Sequence, residues 1–248
     1  MLLFLLLGLI FGSFLNVLIY RLPNNKSIIF PSSYCISCKG PLRWFHNIPI
    51  VSFCILKGKS SCCNKQISLR YPFVELISSV LWVWSYYSID TPSEQILFLI
   101  MASCLLVILF TDYMYFFIPI ELNLLMFLSC LVTFVVSDSN NLSSHFFSMF
   151  LLSAYFLFLM LITSFLMKKD TMGYGDIILI AVLAFWLGLF DIFLIVFFAS
   201  LFSIIHWLIL KIVKKSNNIV LPFGSTISLA TILLVIVKIT LQIETNFF

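Results

Sequence analysis

Long apolar segments recur along this chain, and they dictate most of what it can fold into. Eight candidate spans lie at about 1–20, 72–89, 95–111, 119–136, 146–167, 177–190, 192–210 and 223–243. All but the short sixth reach the length at which a helix crosses a hydrocarbon core roughly 30 Å thick. Backbone polar groups in a bilayer find no water, so segments of this kind must satisfy themselves as helices. The residues are 62% hydrophobic and only 10% charged, far from the balance of a soluble domain. The expected fold is an all-α polytopic membrane protein of about eight transmembrane helices, or seven if the sixth and seventh spans form one broken unit. A loop-rich module separates the first two spans.

The charges are not spread evenly over the connections. Arg21, Lys26, Lys39, Arg43, Lys57, Lys59, Lys65 and Arg70 fall between the first and second spans, Lys168 and Lys169 after the fifth, and Lys211, Lys214 and Lys215 after the seventh. These are 13 of the 14 basic residues, with Lys238 the exception. The opposite connections carry Asp90, Glu94, Asp138, Asp191 and Glu244 and no basic residue. By the positive-inside rule both termini are outside and the 21–71 segment is cytoplasmic. The first span lacks a basic n-region and a small-residue cleavage site, and Arg21 follows it directly, so it reads as a signal-anchor. Spread over three loops, the basic residues make no nucleic-acid footprint. The expected partner surface is membrane lipid, with no nucleic acid. The domain reading is an anchor over 1–20, a cytoplasmic cysteine-containing module over 21–71 and a transmembrane core over 72–248.

Two acids stand at the ends of apolar spans. Asp112 closes the third, and Asp176, in Gly173-Tyr174-Gly175-Asp176, opens the sixth. The charge sidedness puts both at the cytoplasmic face. A carboxylate at membrane depth costs about 2.5–3.5 kcal/mol on insertion scales, so its presence points to function. Asp176 also suits a helix N-cap. Asp112 does not suit its place, because a helix C-terminus is the negative end of the macrodipole. On helix polarity alone, Asp176 should hold the charge and Asp112 the proton, the asymmetry that an aspartic dyad needs. Gly173 and Gly175 let the backbone approach another chain closely or adopt positive φ. The zinc-protease HExxH string and the GxSxG nucleophile elbow are both absent.

The 21–71 segment holds five of the seven cysteines. In a reducing compartment, a small loop-rich module of this kind is stapled by metal more readily than by disulfides. Cys35-Ile36-Ser37-Cys38 is half of a zinc knuckle, and Cys62 and Cys63, in Ser60-Ser61-Cys62-Cys63, complete a candidate ligand set although they do not form a CxxC pair. Cys104 and Cys130 lie within spans as apolar filler. Asn16, inside the first span, is of the kind that bonds a neighbouring helix. Asn-rich stretches at 138–141 and 216–218 read as turns.

Taken together, these blocks resemble the type IV prepilin peptidases, inner-membrane aspartic proteases of the GxGD type. The resemblance runs through Gly12-Ser13-Phe14-Leu15-Asn16-Val17 with Tyr20-Arg21-Leu22-Pro23, Asn47-Ile48-Pro49, Arg70-Tyr71-Pro72 with Glu75, Asp112 with Ile118-Pro119, Gly173-Tyr174-Gly175-Asp176, and Pro222-Phe223-Gly224. It implies an aspartic endopeptidase with Asp112 and Asp176 as catalytic residues. Such an enzyme removes the basic leader from type IV prepilins or type II secretion pseudopilins at the cytoplasmic face of the bacterial inner membrane. It also implies N-methylation of the new amino terminus with S-adenosylmethionine, by residues that the motifs do not reveal. The chain departs from the family at Ser60, where alignment on Ile67-Ser68 expects a cysteine, and at Ile120, Ile178 and Ser225, the last replacing a common proline. The rival readings are a preflagellin-type GxGD protease and a transporter whose acids bind ions or protons.

Overall fold

A computed structural model describes residues 1–136, 142–169, 171–214 and 220–241. Asp138, Lys215, Glu244 and the two Asn-rich stretches lie outside these residues. The described chain is helical: α1 (Leu2–Arg21), a 3-10 turn (Trp44–Asn47), the short α2 (Val51–Ile55), α3 (Arg70–Ser88), α4 (Pro92–Tyr115), α5 (Ile120–Val136), α6 (Leu142–Met167), α7 (Tyr174–Leu187), α8 (Leu189–Lys214) and α9 (Phe223–Thr240). Each apolar span read from the sequence coincides with one helix. Five helices (α1, α4, α6, α8 and α9) are long and apolar enough to cross a membrane by length and composition, and α5 and α7 are shorter apolar helices. This is an all-α multi-pass membrane protein. α7 and α8 are separate helices, broken at Gly188, whose φ of 80° and ψ of 179° fall where side chains are not tolerated.

By packing, the chain divides into two compact units, Met1–Val107 and Ile108–Phe248. In the first, α1 and α3 run antiparallel in strict register. Gly8 faces Ser79, Gly12 faces Glu75, and Asn16 donates from Nδ2 to the Tyr71 carbonyl at 3.1 Å. The Gly8-xxx-Gly12 spacing lets the backbones touch. A Cβ at Gly12 would stand 2.6 Å from the Glu75 Cα, and one at Gly8 would stand 2.6 Å from the Ser79 Cα. Phe11 stacks on Trp82 beside this seam, with ring centroids 4.8 Å apart.

In the second unit α7 is the buried element. Ile177, Leu179, Ile180 and the run Val182–Leu187 are all enclosed, and the helix packs against α5, α6, α8 and α9. At its far end Phe185 meets Phe127, Phe134 and Phe146, and its carbonyl lies 2.8 Å from His145 Nδ1. Lys238, the basic residue on the otherwise acidic side, is ion-paired with Asp191, which ties the end of α9 to the start of α8. Its exception to the charge sidedness therefore has a local cause. Cys104 and Cys130 are buried, as apolar filler should be.

The seam between α1 and α3 makes a clear prediction. Alanine improves helix propensity over glycine by about 1 kcal/mol, but overpacking costs typically 1–3 kcal/mol, and here the obstacle is backbone that cannot swing away. Gly12→Ala is expected to lower the thermal midpoint of the detergent-solubilised protein. A midpoint that stays or rises would show that the two helices are not in backbone contact.

Candidate active site

Asp112 lies in the last turn of α4 and is 6% exposed. Its carbonyl accepts the N–H of Phe116 at 2.9 Å, with Phe116 in the left-handed region at φ 53°. That reversal ends α4 and sends Phe117-Ile118-Pro119 toward α5. Asp176 is in the first turn of α7, its N–H bonded to the Gly173 carbonyl at 3.1 Å. The third contributor is the amino end of α9. A Cβ at Gly224 would stand 3.2 Å from Asp112 Oδ2, 3.2 Å from Asp176 Oδ1 and 2.6 Å from Ile118 Cδ1. The two carboxyl oxygens flank the same point, so their separation is at most twice that distance. The fold thus brings together the two acids singled out in the sequence, and it does so across a glycine.

Their hydrogen bonds differ from what helix polarity suggested. Asp112 Oδ2 accepts the Ser225 N–H at 2.6 Å, so the residue at the negative end of α4 is also held at the positive end of α9. Asp176 Oδ1 is buried and has no hydrogen-bond partner. The backbone donor therefore goes to the acid that was expected to carry the proton. A proline at 225, common in the resembling family, has no N–H to give. Neither Gly173 nor Gly175 adopts positive φ. Gly175 serves close approach instead: a Cβ there would stand 3.1 Å from the Ile118 Cβ. A Cβ on Gly173 would stand 3.3 Å from Asp176 Oδ2. Ile118 is wedged between Gly175 and Gly224. The sequence reading gave Ile118, Gly224 and Ser225 no role in the site; their signals were the strings Ile118-Pro119 and Pro222-Phe223-Gly224 and the departure at Ser225.

In the first unit, the Sγ atoms of Cys35, Cys38, Cys62 and Cys63 all lie within 4.8 Å of one another. Two loops of the same shape make this cluster. In one, the Lys39 N–H bonds to the Cys35 carbonyl and the Cys35 N–H to that of Gly40; in the other, the Asn64 N–H bonds to the Ser60 carbonyl and the Ser60 N–H to that of Lys65. Lys39 and Asn64 share left-handed φ values of 58° and 54°. Ser60 is therefore the counterpart of Cys35, and Cys63 that of Cys38. Cys62, displaced from the usual ligand position, still reaches the cluster, with its Sγ 3.0 Å from that of Cys38 and 3.1 Å from Ser60 Oγ. The hydrogen bond with the Ser60 hydroxyl lowers the Cys35 thiol to about 6. The hydrogen bond with Cys62 pushes the Cys38 thiol up to about 12. Four converging sulfurs fit a tetrahedral thiophilic cation such as zinc.

A multi-pass helical protein with a close pair of carboxyls at three helix ends and a four-thiol cluster is the class that fold and site define. The bacterial peptidase A24 N-terminal domain family matches residues 6–89, and the type IV leader peptidase family matches residues 99–208. A prepilin leader peptidase/N-methyltransferase of Klebsiella pneumoniae is 36% identical over 192 residues, covering 73% of this chain and 82% of the relative. Its namesake in Neisseria gonorrhoeae is 32% identical over 243 residues, covering 84% and 81%, and that of Legionella pneumophila is 30% identical over 251 residues, covering 88% and 85%. No solved structure matches significantly. The chain belongs to the type IV leader peptidase family, the prepilin leader peptidases.

The glycine between the acids gives a double test. Gly224→Ala is expected to reduce prepilin cleavage at least tenfold, since its methyl would crowd both carboxyls and Ile118 Cδ1. Adding Ile118→Val removes Cδ1 and should restore part of the loss, a non-additive coupling readable in a double-mutant cycle. Strictly additive effects on the cleavage rate would refute the contact.

Proposed function

We propose that this chain removes the basic leader peptide from type IV prepilins or type II secretion pseudopilins and N-methylates the amino terminus so exposed. The observation that carries the peptidase reading is the approach of Asp112 and Asp176 to one point across Gly224. Two carboxyls this close share a proton, because both cannot ionise at little cost. Asp112, which holds the Ser225 amide, is the ionised member and takes a proton from the attacking water. Asp176, whose Oδ1 lacks a donor, carries the shared proton and delivers it to the scissile carbonyl oxygen. Gly173, exposed beside Asp176, leaves the backbone bare for an extended substrate segment, and Gly175 gives that backbone its close approach to Ile118. Family membership sets the transporter reading aside.

The remaining assignments rest on sequence and site chemistry. The basic loops put the site at the cytoplasmic face of the bacterial inner membrane, where a substrate leader lies. Residues 1–20 serve as anchor, 21–71 as the cytoplasmic module and 72–248 as the peptidase core. Cys35, Cys38, Cys62 and Cys63 hold a structural zinc, with the Ser60 hydroxyl bonding the sulfurs from outside the ligand set. S-adenosylmethionine supplies the methyl group.

Two measurements test this reading. Asp112→Asn and Asp176→Asn, each nearly isosteric, are expected to lower leader removal by about 100-fold or more, in the range of lost acid–base catalysis, when membranes are incubated with a prepilin and the product is weighed by mass spectrometry. Cleavage that survives both substitutions would sink the dyad. Elemental analysis of purified protein is expected to return about one zinc per chain, with metal lost in Cys62→Ser and retained in Ser60→Cys. A metal content that ignores Cys62 would place the fourth ligand elsewhere.

A further inference from the structure

A basic leader meets a protein whose own cytoplasmic connections are basic. Residues 21–71 hold eight basic residues and no acidic one, and the connections after α6 and α8 carry lysines as well. Surfaces of that sign offer a positive peptide nothing to pair with, and like charges brought together oppose binding. The groups that could attract the leader are therefore few. By the charge sidedness five of the ten acids lie on this side: Glu75, Asp112, Glu121, Asp170 and Asp176. Glu75 is buried in the first unit and committed to the Ile50 amide. Asp112 and Asp176 are the reacting pair. Asp170, directly after Lys168 and Lys169, lies outside the described residues. Glu121 is left. It is exposed in the first turn of α5 and has no ion-pair partner among the described residues.

The place of Glu121 fits that role. Ile118, three residues earlier, is the side chain wedged at Gly224 beside both carboxyls. Pro119 is buried, and its carbonyl accepts Asn123 Nδ2 at 3.1 Å, with Asn123 itself 2% exposed. The start of α5 is thus fastened to the dyad, and chain length keeps Glu121 within about 11 Å of Ile118. In an extended substrate, a leader residue two to four positions before the scissile bond stands about 7–14 Å from it. We propose that Glu121 is a specificity-determining residue, whose carboxylate pairs with a basic side chain of the leader two to four positions before the cut. The inference rests on the leader-removal part of the proposed function. A first-turn acid also complements the helix dipole, but that role is blind to the charge of the leader. An exposed pair of this kind acts on encounter and is screened by salt.

The test uses the full chain in membranes and two prepilins, one with its native leader and one whose basic residues two to four positions before the cut are changed to glutamate. Glu121→Lys is expected to lower kcat/KM for the native leader at least tenfold at low salt, through KM rather than kcat. The same variant should cleave the altered leader better than the wild type does, and this crossover should shrink toward 1 M salt. A kcat/KM within twofold of wild type, equal losses on both leaders, or a crossover seen with Asp170→Lys and not with Glu121→Lys would overturn the proposal. If Glu121→Lys does not fold, Glu121→Gln serves in the same comparison, with a loss of about threefold confined to the native leader. The wild type acting on the native prepilin keeps the two readings apart. Cleavage without a crossover refutes the role of Glu121 and spares the peptidase, whereas no cleavage refutes the proposed function and this inference with it.

Discussion

The contact on which the second unit turns is the meeting of two carboxyls and one isoleucine at a glycine. Gly224 can sit between Asp112 and Asp176 only because it has no side chain, and Ile118 fills the space on its other flank. Three helix ends converge there: the last turn of α4, the first turn of α7 and the first turn of α9. Two of the three are amino ends, which present N–H groups and positive dipole to the acids. One of those N–H groups, from Ser225, is bonded to Asp112. Burial raises the cost of two adjacent charges, and the helix ends offset it only in part, which is the condition for a shared proton.

Small residues do similar work in the first unit. Gly8 and Gly12 bring α1 against α3 closely enough for Asn16 to reach the Tyr71 carbonyl. The same register places Glu75 where it can hold the Ile50 amide. Because lipid is as apolar as the helix surfaces, association of such helices depends on close packing and buried polar contacts rather than on hydrophobic burial. The glycines are thus where the sequence leaves room for polar groups to find one another.

The cysteine loops show how a local departure can be absorbed. Two loops of matching hydrogen-bond pattern place Ser60 where symmetry with Cys35 calls for a thiol. Cys62, two residues on, turns its sulfur into the cluster, and the serine hydroxyl stays within hydrogen-bond distance of it. Spacing rules read the second half as broken because they count residues along the chain. What a cation would meet is a set of sulfur positions.

Long unbroken apolar runs decided that the chain is helical and membrane-embedded, because a barrel strand alternates apolar and polar residues and these segments do not. The apolar helices were legible for the same reason, and so were the two acids, since a charge in an apolar run stands out. The four clustered cysteines could be chosen from the sequence because thiols are few. Tertiary structure alone decided which groups surround those residues. Asp112, Asp176 and Gly224 are far apart in the chain, and no local pattern says that a glycine near the carboxy end must pass between two acids. Nor could helix polarity, applied one helix at a time, tell that Asp112 would be bonded by the amino end of a different helix. Hydropathy is a property of each segment by itself, whereas a hydrogen bond or a steric gap belongs to a pair of segments, and only packing creates the pair.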